Sequence, residues 1–426
     1  MQLTENFLQF IWQHRLFIVR ELRCVSGESL KVLHPGILNK NAGPDFSKAD
    51  LRIGATRWVG NVEVHLRSSE WFQHQHQNDE AYDAVVLHVV YDDDKPVCRK
   101  DGSLIPTLIL KDLFALSLLE NYNKLLSSIH SYPCERQMTF VDPFFVNGFL
   151  SRILAERFEE KSSAIFEMLA RNRGSWAEVF YRLLAKSFGF KVNALPFEIL
   201  ASSLPMSVLL KHKDHPLQVE AMIFGQAGFL NRRFEENYPL QLQAEYSFLQ
   251  KKYLLKPMDV SLWKFLRMRP SNFPTVRLAQ FAALIVGSNN LFSDIIDAKG
   301  VGELKCFFRG LRLPEYWDSH YHFGKKALST KNKMGGFSID SLMINAVCPV
   351  VFAYGKYVND EVLTERAFYW LENLPAEKNA ILKLYEDSGV SIVNAFDSQS
   401  VLQLNKSYCT QKKCLNCGIG IKILNR

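Results

Sequence analysis

Polar and apolar residues alternate strictly from residue 61 to residue 67. Val62, Val64 and Leu66 fall on one side, whereas Asn61, Glu63, His65 and Arg67 fall on the other. This period of two predicts a β-strand, because successive side chains of a strand point to opposite faces of the sheet. Glu63 and His65 are therefore expected to point in the same direction.

A second strand should precede this one. Ala49–Ile53 also has strand character, and Gly54-Ala55-Thr56 between the two segments predicts the turn of an antiparallel hairpin. A turn centred near Ala55 pairs positions whose numbers sum to about 110, to within a couple of residues, because hairpin register depends on turn length. Asp45, which follows a bend at Gly43-Pro44, should then lie opposite His65 and close to Glu63.

The pattern around the hairpin predicts an α+β fold. Helical periodicity runs from Thr4, a candidate cap, to Arg20, and the apolar run Val85–Tyr91 predicts a buried strand. From Leu113 onwards helical periodicity dominates without a fixed repeat. We predict a small mixed α/β domain at 1–112, a helical domain at 113–300, and a helical C-terminal region with a cysteine-rich tail at 301–426.

Composition and charge narrow the class of protein. The chain has 426 residues, 47% of them hydrophobic, and a net charge of +7, which is compatible with a nucleic-acid partner but does not require one. The N-terminal segment does not have the basic and apolar pattern of a leader, and we expect no membrane segment. The eight cysteines do not follow the spacing of a secreted disulfide framework. These features predict a cytoplasmic protein and leave its oligomeric state unknown.

Asp45, Glu63 and His65 are the candidate catalytic residues. Two neighbouring carboxylates repel one another unless a cation or a shared proton lies between them, so Asp45 and Glu63 could hold Mg²⁺ or Mn²⁺ for metal-assisted hydrolysis. His65 could act as a base, or as a ligand that favours manganese or zinc.

Four further residues could support this site, namely Asp50, His74, His76 and His88. The alternative reading is that the strand is an ordinary half-exposed one, that His74 and His76 belong to a solvated loop, and that His88 is a core histidine.

Pro44-Asp45 followed by Glu63-Val64-His65 resembles the motif of PD-(D/E)XK nucleases, and the order helix, strands, hairpin, short helix and strand resembles their core. The resemblance implies that Asp45 and Glu63 bind magnesium and that the chain cleaves nucleic-acid phosphodiesters. His65 stands where the family has lysine. Two alternatives stay open: a non-catalytic nucleic-acid- or protein-binding scaffold with a degenerate nuclease fold, and a zinc site that hydrolyses another substrate through His65, His74 or His76.

A basic segment in the helical region is a candidate nucleic-acid contact. Arg267, Arg269 and Arg277 surround Phe273 in a proline-rich stretch. Such a stretch could bind phosphates through the guanidinium groups while the aromatic ring stacks on a base. The alternative is that these side chains pack and pair at a junction between helices.

The tail contains a second candidate metal site. Cys409, Cys414 and Cys417 have the spacing C-x4-C-x2-C among polar residues, which suits zinc or an iron–sulfur cluster. A fourth ligand must come from elsewhere, and Cys134 in its Tyr-Pro-Cys turn is the first candidate. The alternative is reactive or packed thiols at a docked C-terminus.

The chain as a whole is identified as a member of an uncharacterised bacterial family of unknown function, DUF2851. The resemblance rests on GPDF at Gly43–Phe46, GNVEVH at Gly60–His65, VVLHVVY at Val85–Tyr91, RPSNFPTVRLA at Arg269–Ala279 and the cysteine-rich tail. It implies no particular activity.

Overall fold

The computed structural model describes residues 2–288, 290–328, 330 and 332–426. The chain forms two compact units. The first comprises the residues up to Phe149 together with Ser388–Val390 and Leu404–Arg426, and the second comprises Leu150–Asp387 and Ser391–Gln403. The cysteine-rich tail therefore belongs to the same unit as the hairpin.

The first unit is built on a mixed sheet. Its elements up to residue 126 are α1 (Glu5–Gln13), β1 (Leu30–His34), β2 (Ile37–Leu38), β3 (Phe46–Ile53), β4 (Thr56–Arg67), α2 (Glu70–Gln73), β5 (Val85–Asp92), β6 (Thr107–Ile109) and α3 (Leu116–Leu126). The strands lie in the order β1-β3-β4-β5-β6, with β2 also beside β3. The pairs β1/β3 and β3/β4 are antiparallel, whereas β4/β5 and β5/β6 are parallel.

Helix α1 packs against β4 and is shorter than predicted. Thr4 caps it as expected, because its Oγ1 accepts a hydrogen bond from the N–H of Phe7 at 3.3 Å. The helix ends at Gln13 rather than Arg20, since Arg15 adopts a left-handed backbone with φ of 49°. Glu5 and Gln9 are one turn apart and so share a face of α1.

The hairpin forms, and its register lies within the couple of residues that the prediction allowed. The two-residue turn pairs Ile53 with Thr56, and a bulge that includes Lys48, with φ of 57°, shifts the pairing again so that Phe46 faces Val62. Asp45 is therefore level with Glu63 rather than opposite His65.

Both faces of β4 are buried near its C-terminal end. This differs from the alternative of an ordinary half-exposed strand. Glu63 is 5% exposed and His65 is 1% exposed. The residues from Glu70 to Tyr82, here called the covering segment, form α2 and two short 3₁₀ turns, and α2 packs on β4.

The second unit is mostly helical. Its elements are α4 (Pro143–Arg171, whose first residues belong to the first unit), α5 (Trp176–Phe188), α6 (Ala194–Ser203), α7 (Met206–Leu210), α8 (Pro216–Gln226), α9 (Asn237–Tyr253), α10 (Pro274–Gly287), α11 (Leu291–Asp297), α12 (Val301–Arg309), β7 (His320–His322), β8 (Lys325–Lys326), α13 (Gly336–Leu342), α14 (Cys348–Val358), α15 (Glu361–Glu372), α16 (Ala380–Asp387) and α17 (Ala395–Leu404). One apolar core joins the helices α4 to α15 and the start of α17. The α+β class is confirmed.

One stretch of the second unit, Gly336–Val358, is long and apolar enough to span a membrane by length and composition. In its most apolar window, 72% of the residues are buried inside the protein, which is the pattern of a core helix. The chain then returns to the first unit, where it ends with α18 (Gly418–Leu424).

Candidate metal centre

Hydrogen bonds between backbone N–H groups and carboxylates connect Asp45, which precedes β3, to the part of β4 that carries Glu63. The N–H of Asp45 donates to Glu63 Oε2 at 2.9 Å, and the N–H of Val64 donates to Asp45 Oδ2 at 3.1 Å. One oxygen of each carboxylate is thus bound to the backbone. Glu63 Oε1 is directed elsewhere, at 3.3 Å from His76 Nε2 and 3.6 Å from His65 Nε2.

The two histidines near this oxygen belong to a cluster of three. His65 comes from β4, His74 and His76 come from the covering segment, and one ring nitrogen of each lies within 4.8 Å of the others. Aromatic packing fixes His76, whose ring stacks on Tyr82 with centroids 3.8 Å apart and meets Trp71 edge-on at 5.4 Å. Buried Trp71 thus holds a potential ligand in place.

The geometry between His76 and Glu63 suits a shared cation better than a direct hydrogen bond. His76 Nε2 is buried and has no aligned hydrogen-bond partner among the described residues, although Glu63 Oε1 is only 3.3 Å away. Two ligand atoms at about 2.1 Å from one cation lie roughly 3.0–3.4 Å from each other. The residues present therefore fit a divalent cation.

His65 and His88 form a buried, hydrogen-bonded pair. His65 Nδ1 lies 2.8 Å from His88 Nε2. Burial, followed by the neighbouring histidines, lowers the pKa of His65 to about 2, and burial lowers that of His88 to about 3, so both rings are neutral. If His65 Nδ1–H donates to His88, then His65 Nε2 keeps its lone pair towards Glu63, as a metal ligand requires.

Sequence reasoning missed two residues of the centre, Glu5 and Gln9. Gln9 Nε2 donates to Glu5 Oε1 at 3.3 Å, and Gln9 also hydrogen-bonds Asp45. Burial, then the charges of Asp45 and Glu63, raises the pKa of Glu5 to about 7. Their spacing of four residues on a capped helix was the available signal, but it does not reveal that α1 lies beside β4.

The two central carboxylates also bind protons more tightly than free ones. Burial, and for Asp45 the charge of Glu63, raises the pKa of both groups well above the usual range. Three carboxylates in one place need a shared proton or a cation.

Asp50 lies outside this group. It pairs with Arg57, whose Nη2 is 2.6 Å from Asp50 Oδ2, and that guanidinium lowers the pKa of the carboxyl.

The three arginines of the basic segment differ in their exposure to solvent. Arg267 and Arg269 are exposed, whereas Arg277 is 4% exposed and donates to Gln280 at 2.8 Å and to Ser338 at 2.7 Å. Phe273 packs edge-on against Phe265 with centroids 5.1 Å apart. The positions of Arg277 and Phe273 match the packing alternative. Arg267 and Arg269, in contrast, are accessible to a nucleic-acid partner.

The structure brings the four candidate cysteine ligands together. Cys134, Cys409, Cys414 and Cys417 line one small cavity in the first unit. The fourth position proposed for the tail is therefore adjacent to the other three.

Comparison with known proteins identifies a family. The model of the family described as "Protein of unknown function (DUF2851)" matches residues 5–380. The chain belongs to this family. The DUF2851 match includes the candidate centre and the arginine segment, whereas the three tail cysteines follow it. No curated protein and no solved structure matches the chain.

Proposed function

We propose that this chain is a metal-dependent hydrolase that cleaves nucleic-acid phosphodiesters at the Asp45–Glu63 centre. The observation that carries the proposal is the position of Glu63 Oε1, which lies 3.3 Å and 3.6 Å from the Nε2 atoms of two buried or half-buried histidines. The sheet supports it as well, because antiparallel β3 and β4 followed by parallel β5 agree with the nuclease-like order of elements.

Asp45, Glu63, His65 and His76 would hold the cation, with His74 at the exposed rim. When bound, a divalent cation supplies Lewis acidity and lowers the pKa of water. Imidazole ligands favour Mn²⁺ or Zn²⁺, whereas Mg²⁺ prefers sites made of oxygen atoms alone. The presence of histidine where nucleases have lysine therefore changes the preferred metal in this proposal.

The remaining groups position and move protons. Gln9 donates a hydrogen bond to one of the two oxygens of the Glu5 carboxylate. With a pKa near 7 and a half-buried position, Glu5 is suited to accept a proton from the attacking water at neutral pH. His88 keeps His65 in one orientation and does not exchange protons in this pH range.

Two features support a nucleic-acid substrate. The net charge is +7, and Arg267 and Arg269 present exposed guanidinium groups. We propose that the protein acts in the cytoplasm, where its eight thiols would stay reduced.

The test is cleavage by metal-free protein to which Mn²⁺, Zn²⁺ or Mg²⁺ is added, with single- and double-stranded DNA and RNA as substrates. Glu63→Gln should lower the cleavage rate at least 100-fold, as expected for loss of a metal ligand. Glu80→Gln, an exposed carboxylate of the covering segment, should cleave normally. Circular dichroism would show that both variants fold.

Equal cleavage by Glu63→Gln and the unaltered chain would overturn the assignment of the centre. If the protein binds metal and cleaves none of these substrates, the scaffold alternative gains support. In that case replacing Arg267 and Arg269 by alanine should weaken nucleic-acid binding and reduce its salt dependence.

A further inference from the structure

Four cysteines that are far apart in sequence meet at one place in the first unit. Cys134, Cys409, Cys414 and Cys417 line a cavity of about 10 Å³, and each is between 6% and 9% exposed. Cys134 lies within electrostatic range of the other three thiols. Residue 134 and the tail thus meet at a single group of sulfur atoms.

The backbone of the tail is shaped around these sulfurs. Cys409 ends a π-helical turn, Lys412 reverses the chain with φ of 51°, and Cys414 opens a 3₁₀ turn. The N–H of Cys417 donates to the carbonyl of Cys414 at 3.4 Å, and α18 follows at once. These bends bring the three cysteines of C-x4-C-x2-C to one side.

Close packing keeps α18 next to this turn. A Cβ at Gly420 would collide with the backbone of Cys414, and a Cβ at Gly418 would approach Phe149 Cδ2 to 2.7 Å. Both positions require glycine for steric reasons. A tail that merely covered the surface would not need such close contact.

The cysteines form no disulfide. A cluster of four buried thiols is uncommon as simple core packing, because each sulfur offers only weak hydrogen bonding. Four thiolates around one cavity are, in contrast, the ligand set of structural zinc and of iron–sulfur clusters.

A zinc site and an iron–sulfur cluster require different distances between the four sulfurs. In a tetrahedral zinc site with Zn–S of about 2.3 Å, the sulfurs lie about 3.8 Å apart and leave no cavity between them. Among the described residues, the histidines His65, His74 and His76 form a group whose possible ligand atoms all lie within 4.8 Å of one another. The cysteines do not form a group of three or more at that distance. An iron–sulfur cluster holds its thiolates further apart, since iron and sulfide atoms lie between them.

We propose that Cys134, Cys409, Cys414 and Cys417 ligate an iron–sulfur cluster. Each thiol loses its proton as its sulfur binds iron. Lys413 also lines the cavity and places a positive charge beside the anionic cluster. The cluster fastens Leu404–Arg426 to the segment around Cys134, and it is separate from the proposed hydrolytic chemistry.

The experiment uses the full chain, produced with added iron and purified without oxygen. Iron, acid-labile sulfide and zinc are measured together with the visible absorption and the electron paramagnetic resonance of the reduced protein. We expect iron and acid-labile sulfide in equal amounts, about two or about four of each per chain. Cys134→Ser and Cys417→Ser should each lose at least nine tenths of the iron, whereas Cys24→Ser, a buried cysteine outside the cavity, should keep it.

The metal content of the unaltered chain decides the question even if a variant fails to fold. One zinc per chain without sulfide, or no metal at all, would overturn the proposal. Full iron content in Cys134→Ser would overturn the assignment of the fourth ligand. Glu63→Gln should retain its iron, so that failure of the hydrolase proposal and failure of this one can be distinguished.

Loss of the cluster should also release the tail. Trypsin should cut at Lys412 and Lys413 at least tenfold faster after the iron is removed by a chelator and an oxidant. Equal cleavage rates before and after removal would contradict the fastening role.

Discussion

The carboxylates of Asp45 and Glu63 each accept a hydrogen bond from a backbone N–H at or next to the other residue. Glu63 accepts from the N–H of Asp45 at 2.9 Å, and Asp45 accepts from the N–H that follows Glu63 at 3.1 Å. Truncation of either side chain would leave a backbone donor without its acceptor. Variants that keep a side-chain oxygen, such as Glu63→Gln, therefore separate loss of charge from loss of structure.

His65→Lys places a lysine where the nuclease motif that this strand resembles has one. We expect affinity for Mn²⁺ and Zn²⁺ to fall at least tenfold, because the variant loses an imidazole ligand, and Mg²⁺ to become the preferred cation. Isothermal titration calorimetry with the three cations measures this. His34→Lys makes the same chemical change at an exposed position on β1 and should leave the affinities unchanged. Unaltered Zn²⁺ binding by His65→Lys would show that His65 is not a ligand.

Gln9 orients two of the three carboxylates. It donates to Glu5 at 3.3 Å and hydrogen-bonds Asp45, so Gln9→Ala should lower metal affinity 10- to 100-fold while the fold is retained, as is typical for residues that orient ligands. Gln13→Ala, on an exposed position of the same helix, is the matched control. The affinity is measured by competition with a coloured chelator. Equal affinity in the two variants would contradict this role.

The strand that carries Glu63 and His65 could be predicted because its information is local. A period of two, a turn of small residues and an apolar run each act within a few residues. The same local information did not give the register to the residue. The bulge includes Lys48, whose backbone is left-handed, and no glycine or asparagine at this position signals that conformation. The carboxylates still converge, because two shifts of one residue keep Asp45 on the same side.

The residues that sequence reasoning missed depend on tertiary packing. Glu5 and Gln9 reach the centre only because α1 lies on β4, and the outward face of β4 is buried only because Trp71 and Tyr82 anchor the covering segment. Periodicity indicates which face of an element is apolar, but not what covers its polar face. The approach of Cys134 to the tail was proposed from the missing fourth ligand, a chemical argument rather than a structural one.

Gly225 in α8 should not tolerate a side chain. A Cβ there would overlap the ring of Tyr246 in α9, so Gly225→Ala should lower the free energy of unfolding by about 1–3 kcal/mol despite the better helix propensity of alanine. Gly302→Ala in α12 meets nothing within 4 Å and should be neutral or stabilising by up to about 1 kcal/mol. Urea unfolding followed by circular dichroism compares the two. Equal effects would show that the contact with Tyr246 does not limit position 225.

Glu220 makes the second unit less stable as the pH rises. Its carboxylate is 6% exposed and accepts a hydrogen bond from the Tyr238 hydroxyl at 2.8 Å, and burial raises its pKa from 4.5 to about 7. The folded chain thus binds this proton more tightly than the unfolded chain. The resulting stabilisation is complete below pH 4.5 and is lost as the pH rises through about 7.

Glu220→Gln keeps an oxygen for Tyr238 but carries no charge. At about pH 8 the variant should exceed the unaltered chain in free energy of unfolding by about 1–3 kcal/mol, and at about pH 4 the two should agree, because Glu220 is then protonated in both states. Urea unfolding followed by tryptophan fluorescence at the two pH values measures the difference. Glu245→Gln, a partly exposed carboxylate on α9, serves as the control and should show no comparable gain. A difference of the same size at both pH values would mean that packing, rather than the charge of Glu220, accounts for it.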